Sequence, residues 1–163
     1  MQIALTMLAA AALVSSANPD EAAVIHSVNE LLDSWRVADN ARGDAVLHSD
    51  FRLTTLQGEP GDRKVYTVDR AGLLAASKDL KPNDWDDRLS HVVVRIGSNG
   101  LAVVTADYLF NQNGKPTHCG LVSMQLYRVE GEWKILSFAD THNNLKGRPP
   151  GEVCPASKRT LGR

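Results

Sequence analysis

Asp107 stands in the segment TADYLF, a carboxyl group among apolar and aromatic residues. Enclosure in such surroundings disfavours the charged carboxylate and lifts its pKa towards neutrality, the condition for a general acid or base. His118, Arg88 and Thr141 are the groups that could supply positive charge or hydrogen bonds to an enolate-like intermediate beside it. Ser90 and Thr105 add polar contacts for a ligand, Tyr66 a phenolic donor and Trp35 an aromatic wall. Asp107 and His118 are therefore the catalytic candidates, and Trp35, Tyr66, Arg88, Ser90, Thr105 and Thr141 the ligand-binding ones. The competing reading is structural: an Asp107–Arg88 ion pair at a strand end, Thr141 satisfying a backbone group, and Trp35 serving the core. With no second carboxylate placed on the same face, the structural reading of Asp107 stands ahead of the catalytic one.

Other chemistries find less support. The five histidines form no HxH or HExxH spacing, so neither a metal site nor a cofactor is expected. No serine sits in a GxSxG elbow, and no glycine cluster makes GxGxxG or a phosphate loop. The two cysteines, Cys119 and Cys154, lack the close spacing of a metal or redox motif. They could pair as a disulfide if the chain is exported, or remain one buried and one free thiol if it is not.

Positioning these groups requires a sheet and something to cover it. Asn18-Pro19-Asp20-Glu21 reads as a helix start, with Ile25, Val28, Leu32 and Trp35 recurring at helical spacing and Val24, Leu31 and Ala38 widening the stripe. A short helical turn in ARGDAVLHS leads to the hairpin FRLTTL and RKVYTV, followed by a third helix in DRAGLLAASKDL. Four long strands, RLSHVVVRI, LAVVTADYLF, HCGLVSMQLYRV and EWKILSFADTH, then follow across GSNG, NQNGKP and EG. Such short links favour an antiparallel meander.

Setting Ile96 opposite Leu101, Gln112 opposite Lys115 and Val129 opposite Glu132 sorts the side chains by alternation. The helix-covered face then gathers Val92, Val94, Ile96, Leu101, Val103, Val122, Met124, Leu126, Ile135 and Ala139. It gives way at the strand ends to Thr105, Ser90, Asp107, Thr141, Arg88 and His118. The outer face receives His91, Val93, Arg95, Tyr108, Cys119, Leu121, Ser123, Gln125, Tyr127, Leu136 and Phe138 together with Asp140 and His142, a mixed surface suited to a second copy of the chain.

At 163 residues the chain suits one domain. Its formal charge of -1 leaves no basic face for nucleic acid. Residues 1–17 read as a signal peptide, an apolar run from Ile3 to Val14 ahead of small residues and shorter than the roughly 20 needed to span a bilayer. The domain is expected over 18–146, followed by a tail over 147–163 that Cys154 could tether, in a secreted or periplasmic protein.

The order of elements, with DSWRVADNARGD closing the first helix, HSDFRL entering the first strand and the glycine turn before WKI, resembles the nuclear transport factor two-like superfamily. That superfamily includes ketosteroid isomerase, scytalone dehydratase, the SnoaL-like polyketide cyclases and a lumazine-binding-like branch. The resemblance spans Pro19 to Asn144. It implies an α+β fold, a cone-shaped curved antiparallel sheet covered on one face by about three helices, the cystatin-like roll. It also implies a conical cavity for a small apolar or aromatic ligand and pairing of two copies through the outer sheet face. The expected function is small-molecule binding, with isomerase, dehydratase or cyclase chemistry as one alternative and a dimeric accessory protein as another.

Overall fold

The computed structural model describes residues 18–58 and 61–145. The chain runs α1 (Pro19–Val37), α2 (Asn40–Ala45), β1 (Leu47–Gln57), β2 (Lys64–Asp69), α3 (Arg70–Ser77), β3 (Trp85–Ile96), β4 (Leu101–Gln112), β5 (Lys115–Val129) and β6 (Glu132–Asn144). The strands form one sheet in the order β2-β1-β6-β5-β4-β3. Every neighbouring pair is antiparallel except β1 and β6, which run parallel. This is the α+β sheet with helices on one face that the sequence pattern implied.

Local chemistry explains the main helix. Asn18 Oδ1 accepts from the Asp20 N–H at 3.1 Å, Pro19 occupies the first turn, and Ala38 closes the other end in the left-handed conformation at φ 60. The buried stripe of α1 is Val24, Val28, Leu31, Leu32 and Trp35, and it lies against β3 and β6. Beneath it Phe51, Val104, Val122, Met124, Leu126 and Ile135 are fully buried. Each such side chain contributes roughly 1.5–3 kcal/mol of transfer free energy. Ser27 and Ser34, the buried hydroxyls of the helix, bond to Trp133 O at 2.9 Å and Leu31 O at 2.6 Å. The second helix ends at Ala45, so His48 already belongs to β1.

Two hairpins obey the expected pairing. Asn113 and Gly114, at φ 52 and 72, set Gln112 opposite Lys115, and Glu130 and Gly131, at φ 52 and 90, set Val129 opposite Glu132. Four irregularities then alter the faces. The β3–β4 loop sets Ile96 opposite Ala102, with Gly97 N–H bonded to Leu101 O at 2.8 Å and Gly100 at φ 75. The register shifts between Ser90 and Val93, where His91 takes φ 52, and again between Phe110 and Asn111. The last shift sets Leu126 opposite Ile135 but Gln125 opposite Ser137, leaving Leu136 as the extra residue of β6. Each one-residue slip moves the side chains beyond it to the other face.

Candidate functional site

Trp85 and Leu89 pack against the core, and the strand alternation that turns them inward carries Asp87 with them. On β4 the inward set is Ala102, Val104, Ala106 and Tyr108. After the Leu136 bulge, β6 sends Phe138, Asp140 and His142 inward, while β5 contributes His118. Leu53 and Thr55 of β1, Val68 of β2 and Leu73 of α3 close the opposite wall. Together these residues line a cavity of about 220 Å³ that opens to solvent on one side.

Its walls are rings. Trp35 meets Trp85 edge-on at 6.1 Å and Phe138 at 6.1 Å, and Trp85 meets Phe110 at 6.1 Å. Phe110, His118 and His142 form a stack, with centroids 4.6 Å apart for the first pair and 3.7 Å for the second. Tyr108 donates its hydroxyl proton between Asp140 Oδ2 at 2.7 Å and Thr141 O at 3.1 Å. Oδ1 of Asp87 and Oδ1 of Asp140 are buried with no hydrogen-bond partner among the described residues.

The electrostatics follow from this enclosure. Burial first, then the charges of Asp140 and Asp86, raise the Asp87 carboxyl to about 8. Burial, with a further contribution from His142, lowers His118 to about 4. His142 is also lowered by burial, partly offset by the Asp140 carboxylate. Burial and the Asp140 charge push the Tyr108 phenol up, so it is a donor and not a phenolate at neutral pH. The cavity thus offers an undissociated carboxylic acid, a second carboxyl group held by a phenol, and two neutral imidazoles in close stacking.

The residues singled out from the sequence divide between this cavity and the outside. Trp35 and His118 line it. Asp107 does not: it faces outward, paired with His91 Nδ1 at 2.9 Å, because the β3–β4 loop and the shift at Phe110 both reverse the assumed phase of β4. Thr105 shares that outward phase. Arg88 and Ser90 are exposed because the shift at His91 sends Asp87 and Leu89 inward instead, and Arg88 bonds to Asp86 at 2.8 Å. Thr141 turns outward past the Leu136 bulge, where its Oγ1 accepts from the Leu121 N–H at 3.0 Å. Tyr66 on β2 is 51% exposed and lies away from the cavity. The assumed outer residues Phe138, Asp140 and His142 are cavity residues, moved by the same bulge, and Tyr108 lines the cavity with them, whereas Val92 and Leu101, expected under the helices, are exposed. Cys119 is fully buried, and Cys154 lies outside the described residues, as do the signal peptide and the tail.

Asp87 and Asp140 are the groups that strict alternation from the turns misplaces. The spacing Trp85-x-Asp87-x-Leu89 carried the signal for the first, since both flanking residues are apolar on one face. Phe138-x-Asp140-x-His142 carried it for the second. Among the described residues no group of three metal-ligating side chains converges, and no helix is long and apolar enough to cross a membrane.

No family model and no curated protein matches the sequence. Solved structures do match in fold. A protein of unknown function with a cystatin-like fold from Nostoc punctiforme is 12% identical, with 78% of this chain and 93% of that one covered at a TM-score of 0.61. A candidate dehydratase of the NTF2-like family from Streptomyces avermitilis is 14% identical, with 77% and 99% covered at 0.57. The association domain of C. elegans CaMKII is 15% identical, with 75% and 95% covered at 0.57. At these identities the likeness is one of fold.

Proposed function

From an NTF2-like, cystatin-like fold with two carboxyl groups in an aromatic cavity, we propose that this protein binds a small ring-bearing molecule and transfers a proton on it. Asp87 is the transferring group. The observation that carries this reading is the pair of unpartnered, buried carboxyl oxygens, Asp87 Oδ1 and Asp140 Oδ1, in the aromatic cavity. A carboxyl group raised to about 8 exchanges protons near neutral pH, where an ordinary aspartate is already fully ionised. Tyr108 steadies Asp140, and the neutral His118 and His142 can donate or accept without adding charge. Isomerisation and dehydration need these parts, and the fold neighbour from Streptomyces avermitilis described as a candidate dehydratase supports that class.

The test is deuterium exchange at carbons next to the carbonyl of 1-indanone, 2-tetralone and their amino-substituted analogues, followed by NMR. The full chain is expected to accelerate exchange of at least one, and Asp87→Asn to lower that rate by about a hundredfold or more. Equal exchange rates for the two proteins would remove Asp87 from the mechanism.

Assembly through the outer sheet face is a second reading, favoured by Val93, Leu121 and Tyr127, which are 45%, 44% and 38% exposed there. The association domain among the fold neighbours lends it support. Export and a Cys119–Cys154 bond are proposed with it, since an exported chain would reach an oxidising compartment where the two cysteines can pair. Intact mass after alkylation, with and without reductant, tests the bond.

A further inference from the structure

The cavity has a sign. Its lining includes Asp87 and Asp140 but no lysine or arginine among the described residues. The groups facing Asp87 are Asp140 and His142 from β6, Tyr108 from β4 and His118 from β5, with Asp86 beside it on its own strand. None of these brings a fixed positive charge. An anionic ligand would meet two acids and no counter-charge, and desolvation would make that meeting costly.

A cation meets the opposite conditions. Asp87 Oδ1 and Asp140 Oδ1 are free to accept from a donor. Trp35, Trp85, Phe110 and Phe138 supply the aromatic walls that attract a positive charge through their ring quadrupoles. The volume of about 220 Å³ lies below the roughly 300–1,000 Å³ of drug-sized pockets and suits one or two small rings. We propose that the molecule taken by this cavity is a compact ring-bearing amine, bound as its ammonium ion between Asp87 and Asp140.

This inference rests on the reading of the cavity as a small-molecule site and adds the charge of the molecule. It also links binding to the proton. In the empty cavity Asp87 keeps its proton because burial and Asp140 oppose a second negative charge. An arriving ammonium ion supplies the missing counter-charge, the Asp87 O–H bond breaks, and that proton leaves to solvent while the ammonium keeps its own. Asp87 is then a desolvated carboxylate facing the bound molecule, and the base is made by the ligand that needs it.

Three near-isosteric probes separate the possibilities: 1-aminoindane as the cation, 1-indanol as the neutral form and indane-1-carboxylate as the anion. Titration calorimetry of the full chain near neutral pH, in phosphate and in HEPES, reads both affinity and protons exchanged. Expected are tightest binding for 1-aminoindane, release of up to about one proton per molecule bound, and affinity that rises with pH towards 8. Asp140→Asn is expected to weaken 1-aminoindane about tenfold or more, and 1-indanol by much less. Asp87→Asn should abolish the proton release, which a merely structural role would not do.

Equal or tighter binding of 1-indanol or the carboxylate overturns the charge assignment while the cavity remains a ligand site. Tight amine binding with no proton release overturns the coupling to Asp87. If none of the three binds, the small-molecule reading and the charge assignment fall together.

Discussion

Replacing Asp87 by asparagine isolates the cost of keeping its carboxyl group in the cavity. The carboxyl is raised from 3.8 to about 8, so the folded state holds a proton that the unfolded chain has already released over that range. The stabilising contribution is fully present below the lower value and is lost as pH rises through the upper one. Each unit of difference corresponds to about 1.36 kcal/mol, so raising the pH from about 5 to about 8 removes up to about 4 kcal/mol. Asparagine has the shape of the undissociated acid and does not titrate. Urea unfolding at constant ionic strength, repeated at about one-unit steps across that window, should show the two proteins close at the acid end. The variant should lead by about 2–4 kcal/mol at the alkaline end. A gap that stays constant with pH, or one that closes as pH rises, would refute the assignment of Asp87 as a buried acid.

Three further outcomes follow from the geometry. His118 is lowered from 6.5 to about 4, the mirror case, so its contribution is present above the upper value and is lost as pH falls to the lower one; with solvent screening of this part-exposed ring that loss is about 1–2 kcal/mol. His118→Phe keeps a ring in the stack between Phe110 and His142 and should flatten this acid limb in thermal melts, whereas an unaltered limb would exonerate His118. At Gly120 an added Cβ would lie 1.8 Å from Thr141 O, so Gly120→Ala should cost at least about 2 kcal/mol in urea unfolding, and an unchanged midpoint would show that the strands part easily there. Leu121→Glu on the outer face should halve the mass measured by light scattering if two copies meet there, and an unchanged mass would move the contact elsewhere or leave the protein single.

The sequence discloses the fold through features that act locally. The Asn18-Pro19 start, the apolar stripe of α1, and the turns at Asn113-Gly114 and Glu130-Gly131 each determine their element without help from the rest of the chain. The site is less accessible because it depends on accumulated parity. Asp107 and Tyr108 are adjacent, and one extra residue anywhere between a turn and that pair exchanges which one looks into the cavity. His91 makes such a shift at φ 52, and although histidine takes positive φ more readily than most side chains, it stands in a run of strand formers with no glycine, asparagine or proline beside it to announce a bulge. On β6 the change of phase was visible in composition: Trp133 and Ile135 alternate, then Leu136 interrupts, and Phe138 resumes on the other parity. Ring and acid residues at every second position identify the cavity wall even where counting from the hairpin fails.

The placement of unsatisfied polar groups gives the cavity its meaning. Elsewhere in the core several buried polar side chains are matched: Ser77 Oγ bonds to Asn40 Oδ1 at 2.6 Å and to Leu73 O at 2.9 Å, and Ser27 and Ser34 find carbonyls, whereas Trp133 Nε1 is buried without a partner. Asp44 Oδ1, though without a hydrogen bond, lies 2.6 Å from Arg70 in an ion pair. In the cavity, by contrast, two carboxyl oxygens have no partner and two imidazoles are kept neutral. Leaving one buried acceptor unmatched costs about 1–3 kcal/mol, a large fraction of the stability of a domain this size. Apolar side chains at Asp87 and Asp140 would pack the same rings without that cost. An arrangement that spends stability on two unmatched acids in one cavity is accounted for when a donor arrives there, and an ammonium group carries three N–H donors, enough for both.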